Sequence, residues 1–286
     1  MTEVMAVVLG IMQDGGLPHA GCRCERCAAA FADPGRSQYA ACLAIVDSRQ
    51  QPAGVWLIDA TPDLKFQLHL LADWLGSHPR RPGRIRPPDA IFLTHGHLGH
   101  TLGLAYFGPE VMAVDQLPVY APAGLVRVLA ESRLWQPAIQ RLELKAIDFP
   151  LSLAPDLTIQ PIPVPHRDEW AAGTFAYRLT GPNRSLLYLP DIDSWEQWVE
   201  ARPVLAGVDL ALVDGSFYSL DELGGRPPVA HPLIPDTLRL WVGCPGRLYF
   251  THLNHTNPAL DPHSLAYQTI LAAGADLVHT GQQFQL

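Results

Sequence analysis

The sequence predicts a layered α/β fold in which helices cover the outside of sheets. Short apolar runs recur along the chain with turn residues between them, and helical patterns fall between several of those runs. A third observation concerns placement. Asp59, His95, Asp191, Asp214 and His252 each sit at or just beyond the carboxyl end of an apolar run. Residues at strand ends converge on one rim of a sheet, where open α/β sheets place their ligands.

The strand runs are, in order, VMAVVLGI (4–11), CLAIVD (42–47), VWLID (55–59), AIFLT (90–94), PVYA (118–121), TFAYRLT (174–180), SLLYLPD (185–191), DLALVDG (209–215) and RLYFTH (247–252). The helical patterns are DLKFQLHLLADWLG (63–76), the clearest, then 124–132, 194–201, 233–241 and 263–274. HPRRPGRIRPP (78–88) is a Pro/Arg loop, not a linker, because the apolar pattern resumes at once. No boundary splits the chain, so residues 1–286 are expected to form one domain, with a Cys-rich loop at about 15–30.

Hydrophobic residues make up 48% of the 286, enough for a large core, while charged residues are 17% and the net charge is -8. An acidic chain without a basic run is a poor nucleic-acid or membrane-surface binder. No apolar run approaches the ~20 residues that span a bilayer. MTEVMAVVLGIM lacks a basic n-region and reads as a first strand, so a cytoplasmic protein is expected. A homodimer is compatible with this composition.

Two clusters carry chemistry. FLTHGHLGHTLG (92–103) puts His95, His97 and His100 directly after a buried-looking strand. Neutral imidazole is the commonest metal ligand, and three nitrogen donors leave an open position for water or substrate. The alternative, three surface histidines in a polar loop, fits poorly behind such a strand. GCRCERC holds Cys22, Cys24 and Cys27, while Cys42 and Cys244 stand alone. An odd, clustered set in a chain of this kind points to metal rather than disulfides, and three thiolates at this spacing need one more ligand to close a zinc site.

THGHLGH resembles the T-H-x-H-x-D-H signature of the metallo-β-lactamase superfamily, and the remaining elements occur in the right order over nearly the whole chain: Asp59, His166 in PVPHRDE, Asp191 in LYLPDID and His252 in FTHLNH. The resemblance implies an αββα four-layer sandwich with a metal site at one edge of its sheets. It implies that His95, His97 and His166 hold one ion, that His100 and His252 help hold a second, that Asp191 bridges the two, and that Asp59 orients a ligand histidine. The chain is also similar to relatives that carry a C-x-C-x-x-C loop after the first strand, such as the cyclic phosphodiesterase of phosphonate breakdown, and that resemblance implies that His255 in THLNH completes the Cys22, Cys24 and Cys27 site as a structural zinc. QDGGLPHAGCRCERC, DLALVDGSFYSLDEL and HLNHTNPALD are similar to pyrroloquinoline quinone biosynthesis protein B and its wider relatives. The departure is Gly99, which stands where the signature carries an aspartate ligand of the second ion. Three outcomes follow: a mononuclear centre, replacement of the carboxylate by water or a neighbouring residue, or iron or manganese used differently. The ligand types suit zinc or iron better than magnesium.

His231 in VAHPLI is either a proton donor leaning over the centre or a loop histidine. Asp214 either buttresses a ligand or binds substrate, unless it is a simple strand-end acid. Asp193 reads as a helix cap, with Ser194 as rival. His19, near the cysteines, carries little weight, and loop 217–231 is expected to shape the pocket. The leading functional expectation is a metal-dependent hydrolase acting on a small ester, lactone, amide or phosphodiester, with Asp191, His100 and His231 in catalysis. The alternatives are an iron-dependent oxygenase acting on a tyrosine-derived substrate, and a binding protein with a decayed centre. Small-molecule or peptide-like substrates are the expected partners.

Overall fold

The computed structural model describes residues 3–226 and 230–286. One sheet contains β1 (Val4–Gly10), β2 (Cys42–Asp47), β3 (Gly54–Ile58), β4 (Ala90–Phe92), β5 (Leu117–Ala121) and β6 (Leu142–Ala146), with β14 (Gln283–Gln285) beyond β1. The other runs β7 (Leu151–Ala154), β8 (Leu157–Pro163), β9 (Phe175–Thr180), β10 (Ser185–Leu189), β11 (Leu210–Asp214), β12 (Arg247–Thr251) and β13 (Asp276–Leu277) in chain order across the sheet.

The central strands are buried on both faces, which is why their sequences read as continuous apolar runs rather than alternations. Period-2 geometry then sorts each strand between two cores. Ala6, Val8, Leu43, Ile45, Trp56 and Ile58 face the second sheet, where they meet Tyr177, Leu186, Tyr188 and Leu212. Their neighbours Val7, Leu9, Ala44, Val46, Val55 and Leu57 face outward, onto Leu64 and Leu68 of α2 (Leu64–Leu70), Leu75 of α3 (Ala72–Leu75), and Leu125 and Leu129 of α5 (Ala123–Glu131). On the other side, Leu187, Leu189, Ala211 and Val213 meet Leu205 of α7 (Ala201–Ala206), Ile234 and Trp241 of α8 (Ile234–Trp241), and Ile270 of α9 (Leu265–Ala272). The layers are therefore helix, sheet, sheet, helix. Tyr177 ties the sheets together by donating its hydroxyl to the Leu93 carbonyl at 2.8 Å.

Among the described residues the remaining α-helices are α1 (Glu25–Ala32), α4 (Leu98–Thr101) and α6 (Gln136–Ile139). Among the described residues no helix is long and apolar enough to cross a membrane.

Two expectations need correction, and five strands went unpredicted. The pattern over 63–76 is not one helix but α2 and α3, separated at Leu71. Residues 194–200 form turns, not a helix, and α7 begins only at Ala201. The apolar spacing there comes from Trp195 and Trp198, which stack 6.2 Å apart and are anchored by the Trp195 indole N–H on Thr237 Oγ1 at 2.8 Å. The edge strands β6, β7, β13 and β14, and β8 next to the edge strand β7, escaped prediction because half-exposed strands such as LELKA carry charge, and LTIQPIP carries two prolines. Arginines of the 78–88 loop serve packing: Arg81 donates to the Met112 and Ala113 carbonyls and Arg84 to that of Val111.

Strand direction sets the site. β3 and β4 run parallel, as do β10, β11 and β12. Asp59, the His95 loop, Asp191, Asp214 and His252 therefore emerge at one rim of the two sheets.

Candidate metal centre

The loop leaving β4 carries His95 and His97, and α4 starts at once and turns His100 back toward the rim. His166 arrives from the loop after β8. His95 Nε2 lies 2.9 Å from His97 Nδ1, and His166 Nε2 lies 3.4 Å from the same atom. Three ring nitrogens thus converge on one point. A second set forms beside it, where His100 Nε2 and His252 Nε2 lie 3.1 and 3.3 Å from Asp191 Oδ2. The other Asp191 oxygen, Oδ1, lies 3.7 Å from His166 Nε2. One buried carboxylate therefore faces both sets.

The outer ring nitrogens decide whether these histidines can act as ligands. His100 Nδ1 lies 2.7 Å from Asp59 Oδ2. His95 Nδ1 lies 2.9 Å from Thr94 Oγ1, whose own proton goes to Asp59 at 3.0 Å. His252 Nδ1 lies 3.1 Å from Ser216 Oγ, itself held by Asp214 Oδ1 at 2.7 Å. His166 Nδ1 lies 2.9 Å from Asp193 Oδ1, and His97 Nε2 lies 3.6 Å from Glu169. These acceptors hold the outer ring N–H groups, so the inner nitrogens of His95, His100 and His252 are the ones that can offer a lone pair once a cation displaces any proton there. The buried His252 Nε2 and Asp191 Oδ2 make no hydrogen bond at all. A buried polar atom left without a partner costs ~1–3 kcal/mol, so these orphans fit a bound metal ion and have no other evident purpose.

Electrostatics agree. Burial, together with the neighbouring histidines, pushes His95 well below the ordinary histidine value, and burial lowers His166 as well, so both are neutral donors. Burial also opposes charge on His100 and Asp191. Asp59 and Asp191 nevertheless hold His100 well above its usual value, so the second set favours a positive charge, proton or metal cation, beside Asp191, and His252 and His100 hold Asp191 well below the carboxylate range. His231 sits over the same rim with Nδ1 2.7 Å from Asp214 Oδ2. Burial disfavours its charge, but Asp214 and Asp191 raise its pKa to about 9. Asp59, His231 and His252 all adopt left-handed backbone, at φ 71, 68 and 58. Such strain, on the order of 1–3 kcal/mol each, clusters where function requires a fixed side-chain direction.

Asp59 supports two histidines at once. Its replacement by alanine is expected to weaken metal retention at the rim by about 10–100-fold, while leaving the cysteine site loaded. Metal titration of the variant against wild type checks this.

The second cluster lies at the N-terminal loop. Cys22, Cys24, Cys27 and His255 bring their ligand atoms within 4.8 Å of one another. Cys24 caps α1, with the Cys27 N–H directed at its sulfur, and that contact lowers its pKa. His19 stacks on His255 at 4.5 Å, and burial together with His19 keeps His255 below its ordinary pKa, hence neutral. His255 Nδ1 is another buried atom without a partner.

The structure thus brings every expected ligand to one of two clusters and places Asp59 and Asp214 behind the histidines. Asp193 caps no helix; it stands behind His166, because no helix follows it. His19 belongs to the cysteine cluster rather than the active rim. Of loop 217–231, residues 227–229 lie outside the described residues. Sequence reasoning missed Thr94, Ser216 and Asp14. The first two lie within the THGH and DGSF segments, whereas nothing in the spacing marked Asp14.

The family model for the beta-lactamase superfamily domain matches residues 56–253. Coenzyme PQQ synthesis protein B of Methylobacterium nodulans is 27% identical over 99% of this chain and 100% of its own. The namesake from Xanthomonas campestris pv. campestris is also 27% identical, over 98% of this chain and 99% of its own. Among solved structures, Zn(2+)-bound PqqB from Methylobacterium extorquens superposes with a TM-score of 0.82 at 22% identity, covering 99% of this chain and 100% of that one. A diphosphatase from the PhnP family superposes with a TM-score of 0.72 at 23% identity, covering 99% and 98%. With the family match spanning well over half the chain, and a four-layer sandwich carrying its histidines on one rim, this protein belongs to the beta-lactamase superfamily.

Proposed function

We propose that the chain is a metal-dependent hydrolase that cleaves a small ester, lactone, amide or phosphodiester bond with an activated water. One observation carries the reading. Five imidazoles and Asp191 present two adjoining donor sets, and the buried atoms His252 Nε2 and Asp191 Oδ2 make no hydrogen bond. A decayed, non-catalytic centre has no reason to keep such costly orphans. Zinc or iron suits the nitrogen-rich rim, and zinc suits the thiolate cluster. A divalent ion held at the rim by these residues would supply a water with a pKa lowered to roughly 7 and would polarise the substrate oxygen.

The remaining work falls to side chains. Asp191, facing both sets, accepts a hydrogen bond from the water and orients it toward the scissile centre. His100 steadies the second set through its bond to Asp59. His231, held as a cation by Asp214 at Nδ1, offers its Nε2 proton to the leaving group.

A second reading rests on the full-length similarity to coenzyme PQQ synthesis protein B. In it the rim holds ferrous iron and supports an oxygen-dependent step on a tyrosine-derived substrate. The test assays zinc-loaded and iron-loaded protein against a lactone, a thioester, a phosphodiester and a peptide-like amide, with an oxygen electrode alongside. Hydrolytic turnover without oxygen uptake is expected. Oxygen uptake that requires iron and substrate, with no hydrolysis, would overturn the proposal in favour of the second reading.

A further inference from the structure

Gly99 is buried inside α4, beside the second donor set. A Cβ at this position would lie 1.9 Å from Asp14 Oδ1 and 2.4 Å from Asp14 Cγ, far inside contact distance. The space that a side chain at 99 would fill is thus already taken by a carboxylate from elsewhere in the chain. Asp14 comes from the turn after β1. The segment is held firmly: Gln13 N–H donates to the Leu253 carbonyl at 3.0 Å, the Gln13 amide donates to Ser216 Oγ at 3.0 Å, and Gly16 N–H closes the turn on the Gln13 carbonyl at 2.8 Å. Asp14 Oδ1 lies 3.4 Å from His100 Nε2 and 4.0 Å from His252 Nε2. These are the two inner nitrogens that already face Asp191.

Resting on the two-ion form of the hydrolase reading, we infer that Asp14 is a ligand of the second rim ion, supplying from the β1 turn the carboxylate that position 99 lacks. The set becomes two imidazoles and two carboxylates, one of them shared. Its charge then comes closer to balancing a divalent cation than His100, His252 and half of Asp191 alone. The glycine at 99 is explained by the same fact, since a larger residue would evict Asp14. The half-exposed Asp14 side chain also leaves the site open on that side to solvent and substrate.

The test is competitive zinc titration against a chromophoric chelator, on full-length wild type, Asp14→Asn and Gly99→Ala. Asp14→Asn preserves shape at a half-exposed turn, so it should melt as the wild type does. Gly99→Ala keeps every ligand but pushes Asp14 aside. Both variants are expected to bind the third zinc equivalent at least about tenfold more weakly, with the other two equivalents unchanged. A third equivalent of wild-type affinity in Asp14→Asn would overturn the inference while leaving the two-ion reading intact. A wild type that binds no third equivalent at all would overturn both, and would show this before any variant is compared.

Discussion

Replacing His97 by alanine is expected to remove one metal equivalent and to lower hydrolytic turnover about a thousandfold. His97 Nδ1 is the atom on which His95 Nε2 and His166 Nε2 converge, at 2.9 and 3.4 Å, so its loss leaves the first donor set with two nitrogens. Metal at such a centre supplies several kcal/mol of transition-state stabilisation, and each ~1.4 kcal/mol is tenfold in rate. His97 is only partly buried, so the truncation leaves no core cavity and the fold should survive. Elemental analysis and steady-state rates on the same preparation check both parts. Undiminished turnover with the equivalent gone would mean that the first set is not the catalytic one.

The second large effect concerns the cysteine cluster. Cys24→Ser is expected to lose a different metal equivalent and at least about 3 kcal/mol of stability, roughly 6 °C or more in Tm. Cys24 is exposed, so serine removes a ligand without opening a cavity. The cost should spread further. The cluster joins the N-terminal loop to His255, three residues beyond His252, and Met12 pairs with Leu253 between them. The same loop carries Asp14. Freeing it should therefore loosen metal at the second rim set as well, while the first set, held by β4 and the loop after β8, stays loaded. Thermal melts before and after chelation test this: chelation should lower the Cys24→Ser melt by much less than it lowers that of wild type.

How much of this was legible depended on the kind of residue. The central strands could be read because they are buried on both faces and so are apolar at every position, as in VMAVVLG and CLAIVD. The edge strands could not, because β14 is only QFQ, held by main-chain pairing to β1 that leaves little trace in composition. The histidine and cysteine ligands were legible because each set is concentrated in one short segment and completed by residues in recurring order. Asp193 was misread because a carboxylate before a tryptophan-containing stretch looks like a cap when no helix boundary can be seen. Asp14 was invisible for a deeper reason. Its role depends on the empty volume over Gly99, and two positions so far apart along the chain share that volume only after the sheets have paired.

The central claim is that the rim of the two sheets is a metal centre distinct from the cysteine site. Metal content by elemental analysis of protein expressed without added metal tests it most directly. About three equivalents per chain are expected in the wild type, one of them lost in Cys24→Ser and at least one other in His97→Ala. A single equivalent that disappears in Cys24→Ser and persists unchanged in His97→Ala would mean that the histidine rim binds nothing, and the account of the site would be wrong.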